Sequence, residues 1–274
     1  MMTINCKGKL IDFSTPRVMG ILNITPDSFF DGGKYKNESD ILHQTEKMLT
    51  EGATFIDVGA YSSRPGAAHI SEEEELQRIV PVIELLVQNF SDIVISVDTF
   101  RSEVAKQTIK AGATIINDIS GGTMDANMFA TIAELQVPYI VMHMLGTPQN
   151  MQQNPQYKDV TQEVIKFFAD QIHKLHQLKV NDVLIDVGFG FGKTIEHNYE
   201  LLKKLALFKN LDTPILAGIS RKSMLYQPLN ITAKNALNAT TSANTIALLN
   251  GANILRVHDV KEAAEAINIV QQLT

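Results

Sequence analysis

Short apolar runs, each closing on a polar residue and each followed by a segment with apolar positions three or four apart, repeat eight times along the chain. The runs are VMGIL ending at Asn23, TFIDVG leading to Ser62, Ser63 and Arg64, IVISV before Asp98, and TIIN carrying Asn117. YIVMH then carries His143, VLID carries Asp186, PILAGIS precedes Arg221 and Lys222, and ILRVH carries Arg256 and His258. Short Val- and Ile-rich runs predict buried strands, and the longer three-to-four spacing predicts amphipathic helices. The helices fall at 39–51, 71–88, 102–111, 125–136, 160–178, 197–208, 233–250 and 260–272. Eight alternations of this kind predict an α/β fold, a (β/α)8 barrel of the TIM type, whose chemistry sits where the strands end. Residues 1–16, with Gly8 and Pro16, predict a short hairpin-like cap. No linker or change in composition interrupts the chain, which predicts a single domain over 1–274.

Gly52-Ala53-Thr54, Gly112-Ala113-Thr114 and Gly251-Ala252-Asn253 each stand between a helix and the next run. Glycine there ends a helix with a left-handed residue at little cost. The loops at 23–37, 60–70, 145–159 and 220–231 are long, and they lie at the face where ligands bind. Ser71 with Glu74 forms a capping signal, and the run from Glu72 to Glu75 reads as a solvated first turn rather than a metal site.

Composition narrows the function. The 274 residues are 45% hydrophobic, with a formal net charge of −6 and no Lys/Arg-rich run, which argues against nucleic acid or an anionic membrane as partner. No signal-peptide pattern or membrane-spanning stretch is recognisable. Cys6 is the single cysteine. It excludes an internal disulfide and a cysteine-built zinc site, fits a reducing cytoplasm, and is expected to be an inert thiol.

Asp98 and Asp186 close strands, where an unpaired buried carboxylate is costly, so each implies a partner. With Asn117 they suit a flat heterocycle bearing several N–H groups, or a general acid and base pair. Lys222, Arg64, Arg256 and His258 add cations suited to phosphate and carboxylate. Asp57, inside its strand, reads as structural more readily than catalytic; Arg101 either joins the site or neutralises a neighbouring carboxylate. His143 either lines the site or is a hydrogen-bonded structural histidine, and His173 with His176 reads as a solvated helix face. GFGFGK, residues 188–193, matches neither the Walker spacing nor the dinucleotide fingerprint. It predicts a tight loop that turns Phe189 or Phe191 toward the pocket mouth, or else plain turn glycines over a buried phenylalanine.

Seven segments in order, LNITPDSFFDGG (22–33), SSRPGA (62–67), SVDTFR (96–101), NDISGG (117–122), DVGFGFGK (186–193), SRKS (220–223) and RVHDV (256–260), resemble the signatures of the dihydropteroate synthases. That family joins 6-hydroxymethyl-7,8-dihydropterin pyrophosphate to 4-aminobenzoate and releases pyrophosphate, assisted by Mg2+. The resemblance implies that Asp98, Asn117, Asp186, Lys222 and Arg256 hold the pterin, with Asp98, Lys222 and Arg256 carrying the chemistry. It implies Asn23, Arg64, Arg256 and His258 for the pyrophosphate, with Asn23 as the metal donor. Thr25, Pro26, Phe29, Ser63, Pro65, Phe191 and Ser223 would shape the 4-aminobenzoate pocket. A homodimer is expected by the same analogy. The chain departs from the common pattern at Tyr61 for Glu, Ser63 for Thr, Val187 for Pro and Ile219 for Thr. Two other readings remain: methyl transfer from a folate, opposed by the pyrophosphate set, and a pterin sensor without catalysis, opposed by the complete set of charges.

Overall fold

The computed structural model describes residues 2–24, 38–62 and 69–273. β1 (Thr3–Cys6) and β2 (Lys9–Asp12) form an antiparallel hairpin. Eight parallel strands then close into a barrel: β3 (Arg17–Asn23), β4 (Phe55–Gly59), β5 (Ile95–Asp98), β6 (Ile115–Asp118), β7 (Tyr139–Met142), β8 (Val183–Asp186), β9 (Ile215–Ala217) and β10 (Ile254–Val257). β10 pairs with β3 and completes the ring. The helices between them are α1 (Glu38–Thr50), α2 (Glu72–Asn89), α3 (Ser102–Ala111), α4 (Met128–Leu135), α5 (Val160–Gln177), α6 (Ile195–Lys203), α7 (Ser223–Tyr226) and α8 (Leu237–Leu249). α9 (Val260–Gln271) follows β10. The expected TIM barrel and its hairpin are both present.

Strand side chains alternate, so each barrel strand sends one set outward to the helices and the other into the lumen. Leu22, Val58, Val97, Ile116, Val141, Ile185, Ala217 and Leu255 pack outward with the helices. Met19, Phe55, Ile115, Ile140, Leu184, Leu216 and Ile254 form a separate cluster with Ile4, Cys6, Ile11 and Phe13 of the hairpin segment. The hairpin thus plugs the N-terminal end of the lumen with apolar side chains. Two residues further along each strand, the same inward parity reaches Asp57, Asn117, Asp186 and Arg256. The lumen therefore changes from hydrocarbon at one end to charge at the other.

Three helices start two or more residues away from where the periodicity puts them. α4 begins three residues late because the Asp125 carboxylate accepts from Ser102 N at 2.7 Å and Asn127 N at 2.9 Å, fixing a turn there. α6 begins two residues early, on a capping box in which Thr194 Oγ1 accepts from His197 N and His197 Nδ1 accepts from Thr194 N, both at 3.2 Å. It gives way to a 3-10 turn at Leu205–Leu211. Residues 233–235 also form a 3-10 turn before α8, because the Arg221 guanidinium draws off the carbonyls of Ala233 and Lys234 at 2.9 and 2.6 Å.

Ser71 caps α2 as expected, accepting from Glu74 N at 3.1 Å. The acidic first turn is not wholly solvated, however. Glu75 is fully buried, ion-paired with Arg101 and accepting from Thr99 Oγ1 at 2.7 Å. Burial holds its carboxyl above the ordinary range, and the hydrogen bond from Thr99 and the Arg101 charge oppose that shift. Among the described residues, no helix is long and apolar enough to cross a membrane.

Candidate active site

The C-terminal mouth of the barrel gathers Asp57, Asp98, Asn117, Asp186, Lys222 and Arg256 from six different strand-to-loop segments. Arg256 is the hub. Its Nε donates to Asp57 Oδ2 at 2.6 Å and its Nη2 donates to Asp98 Oδ2 at 2.9 Å. Asn117 Nδ2 donates to the same Asp57 oxygen at 3.2 Å. Asp57, with no exposed surface, is thus the floor on which Arg256 and Asn117 rest, while Asp57 Oδ1 is buried without a partner. One guanidinium thus serves two carboxylates, one fully buried and one mostly so.

The carboxyl of Asp98 is pushed up to about 7, chiefly by burial, with the Arg256 charge opposing and Asp57 reinforcing the shift. Asp186 is also raised by burial, and the Lys222 ammonium counters it. Asp186 Oδ1 accepts from Gly188 N at 2.8 Å, which fixes the carboxylate plane. Burial pushes Lys222 down to about 8 against the pull of Asp186. Its Nζ donates to Phe189 O and stands 4.7 Å from the centre of the Phe191 ring. Clustered, perturbed titratable groups in a pocket are a signature of a functional site.

Two glycines lie within ordinary contact range of these groups. A Cβ on Gly59 would lie 3.5 Å from Asn23 Oδ1 and 3.5 Å from Asp98 Cβ. One on Gly218 would lie 3.4 Å from Asp186 Oδ2 and 3.8 Å from Lys222 Nζ. A third apolar cluster supplies a wall here: Tyr61, Ile70, Phe100, Ile119 and Met142, with Phe191 partly buried against it. Phe191 therefore faces the mouth, whereas Phe189 is fully buried in the outer core.

Other expected residues fall around this centre. Asn23 ends β3 and is half-buried beside Gly59. The Oγ of Ser220 and Nδ1 of His258 lie 3.0 Å apart, and Ser223 opens α7 directly after Lys222. Thr25, Pro26, Phe29, Ser63, Arg64 and Pro65 lie outside the described residues. Arg101 takes the neutralising role, but for Glu75 rather than Asp98. His143 is structural: buried, it accepts from Lys193 Nζ at 3.0 Å, and burial with that neighbouring ammonium holds its imidazole down at about 2. His173 contacts Gln177 on an exposed helix face.

Of the departures, Val187 and Ile219 are fully buried in the outer core. Tyr61 packs edge-on against Phe100 at 5.0 Å, its hydroxyl 3.1 Å from both His69 Nδ1 and Gln149 Nε2. None of the three replaces a charge in the Arg256 network.

Two residues support this centre: Asp57, which the sequence indicates as structural, and Arg221, for which it indicates no role. Asp57 shares its parity with Phe55 and Gly59, and that count places it in the lumen. Arg221, at φ 56°, grips Asp259 with Nε and Nη2, both at 2.8 Å, and so joins the Lys222 loop to the turn after His258. A left-handed arginine costs roughly 1–2 kcal/mol, which the buried bidentate pair offsets.

Residues 19–258 match the family model described as pterin binding enzyme. A dihydropteroate synthase of Escherichia coli strain K12 is 46% identical over 98% of this chain and 96% of its own length. The Yersinia pestis dihydropteroate synthase in a sulfonamide drug complex superposes with a TM-score of 0.95 at 43% identity, covering 99% of both chains. The Xanthomonas albilineans dihydropteroate synthase with 4-aminobenzoic acid gives 0.91 at 36% identity, over 99% of this chain and 97% of that one. With the barrel and its charged mouth, these similarities show that the chain belongs to the dihydropteroate synthase family of pterin-binding enzymes.

Proposed function

We propose that the barrel mouth condenses 6-hydroxymethyl-7,8-dihydropterin pyrophosphate with 4-aminobenzoate, giving 7,8-dihydropteroate and pyrophosphate. The observation that carries the residue roles is the convergence of Asp98, Asn117, Asp186 and Lys222 on the Arg256 hub. Asp186 and Asn117 meet the amino and ring N–H groups of the pterin, and Lys222 donates to a ring acceptor. Arg256, its Nε and Nη2 committed to Asp57 and Asp98, presents the face of its guanidinium to the ring and its Nη1 to the pyrophosphate. As the C–O bond to pyrophosphate breaks, positive charge develops on the exocyclic carbon and spreads into the electron-rich ring. Asp98, in its ionised form, stabilises that charge in a site where water does not screen it. The neutral arylamine then attacks the carbon and loses a proton, so no strong base is required. We assign 4-aminobenzoate binding to Phe191 and Ser223, with Thr25, Pro26, Phe29, Ser63 and Pro65 by family resemblance. Asn23, Arg64, Arg256 and His258 receive the pyrophosphate.

The donor set bears on Mg2+. No group of three or more His, Cys, Asp or Glu side chains among the described residues forms a metal cage. A lone amide oxygen at Asn23 fits a cation that keeps most of its water and binds substrate phosphates. Asn23 would hold Mg2+ there, and the ion would supply charge neutralisation for the pyrophosphate leaving group. We also infer a cytoplasmic single-domain enzyme. We infer a homodimer through the barrel helices, since α8 leaves Ile246 and Leu249 exposed.

The test is turnover: purified protein, both substrates and Mg2+, with release of pyrophosphate and appearance of dihydropteroate read together. Pterin binding without pyrophosphate release would leave the sensor and methyl-transfer readings. A 4-aminobenzenesulfonamide should compete with 4-aminobenzoate; purely non-competitive kinetics would count against the assigned pocket.

A further inference from the structure

The glycine-rich segment 188–193 fits no phosphate-loop pattern in sequence, and its backbone turns carbonyls rather than N–H groups toward cations. Gly188, Gly190 and Gly192 all have positive φ, and five successive carbonyls accept from side chains. Gly188 O and Phe191 O each accept from Lys193 Nζ at 3.0 Å. Phe189 O accepts from Lys222 Nζ, Gly190 O from Gln152 Nε2 at 2.6 Å, and Gly192 O from Tyr157 OH at 2.8 Å. Lys193 also donates to His143 O at 3.2 Å and to His143 Nδ1 at 3.0 Å, on the neighbouring strand-to-helix loop. Its side chain is 3% exposed, so a fixed ammonium is held almost entirely by carbonyl dipoles and a neutral imidazole. As an ammonium Lys193 offers only donors, and in that state His143 Nδ1 is the unprotonated nitrogen.

This loop supplies three groups to the site. Gly188 N fixes Asp186, Phe189 O holds Lys222, and the Phe191 ring lies under that same ammonium. The backbone approach is too close for other residues: a Cβ on Gly188 would stand 1.9 Å from His143 O, and one on Gly192 2.5 Å from Leu145 O. Resting on the proposed synthase reading, we propose that Lys193 is a positioning residue, whose buried ammonium ties segment 188–192 to the end of β7 and thereby sets Asp186, Phe191 and Lys222 for both substrates. Burial pushes Lys193 down to about 7, opposed by the Asp186 charge and aided by Lys222.

Lys193→Met keeps the aliphatic stem and removes the ammonium. In folded K193M, KM for dihydropterin pyrophosphate and for 4-aminobenzoate should each rise at least tenfold, with kcat changed less than KM. Amide hydrogen exchange in residues 188–192 should quicken tenfold or more while the barrel strands keep wild-type protection. His143→Phe, which keeps ring packing against Phe167 (5.0 Å between centroids) and deletes one acceptor, should move the same readouts less. It serves as the test if K193M does not fold. Unchanged KM values or unchanged exchange at 188–192 in a folded variant would overturn the proposal. If the wild-type protein lacks synthase turnover, the synthase reading fails by itself. The exchange measurement then decides the clamp: quickened exchange supports it and unchanged exchange refutes it.

Discussion

Asp57→Asn isolates the charge beneath Arg256 from the hydrogen bonds made to it. Both donors, Arg256 Nε at 2.6 Å and Asn117 Nδ2 at 3.2 Å, use the same oxygen, Oδ2, while Oδ1 has no partner. An asparagine amide oxygen in the Oδ2 position therefore keeps both bonds, and its NH2 group takes the place of Oδ1. What is lost is the charge assistance, a difference of roughly 1 kcal/mol between charged and neutral bonds. Against that loss, Asp98 no longer faces a like charge. Asp98 is also influenced by Arg256 on β10, Glu75 on α2, Asp118 on β6 and Lys222 after β9, none of which changes. The new NH2 group also meets no partner where Oδ1 had none, so Asp57→Asn should destabilise at pH 7 by about 1–3 kcal/mol, less than removal of both bonds.

Asp57→Ala is the contrast. It leaves the Asn117 amide and one edge of Arg256 unpaired in a buried site, at a cost of about 3–5 kcal/mol. For 274 residues, an unfolding entropy of roughly 2.1 cal/mol/K per residue turns that into a Tm lower by about 5–9 °C. The second assay is calorimetric titration with a pterin between pH 5.5 and 8.5. In the wild type, Asp98 is half ionised at about 7, so affinity should rise with pH through that value. In Asp57→Asn the midpoint should move to lower pH. The stability linkage has a matching sign. A raised carboxyl adds most to stability below its ordinary value of 3.8, and that share is lost as pH rises through about 7. Removing Asp57 should flatten the decline. An unmoved midpoint, or an Asn variant as unstable as the Ala variant, would refute this account of the network.

Lys222→Ala should lower kcat/KM by about 10²-fold, roughly 2.7 kcal/mol of transition-state stabilisation, with little change in Tm; Lys203→Ala, on an exposed helix face, is the control. Because Lys222 is pushed down to about 8, wild-type kcat/KM should fall as pH rises through that value, and this limb should vanish in the variant. 4-Aminobenzoate should bind weakly to the free enzyme and well with pterin and pyrophosphate present, which calorimetry would read directly; equal affinity in both states would contradict the coupling. Cys6 is buried and its thiol is pushed up to about 12, chiefly by burial, so native protein should not react with a disulfide reagent at pH 8, whereas unfolded protein should.

The sequence by itself determined the barrel, because hydrophobic period is local. Runs such as IVISV and VLID and the helical stretches between them specify eight alternations whatever the rest of the chain does. It also determined which residues end strands, and hence that Asn23, Asp98, Asn117, Asp186 and Arg256 share one face. Family motifs added roles that composition and spacing alone left open. Tertiary structure decided partnership, because ion pairs join positions far apart in sequence. Arg256 meets Asp57 across 199 residues and Asp98 across 158, and no local pattern encodes that choice. It turned Glu75 inward to Arg101 although the acidic run around it looks like solvated helix, since burial depends on the neighbouring strand and not on charge content. It assigned His143 to Lys193, and Lys193 to the carbonyls of its own glycine loop. Positive φ at three glycines can cradle an anion or a cation; only the folded direction of the carbonyls settles which.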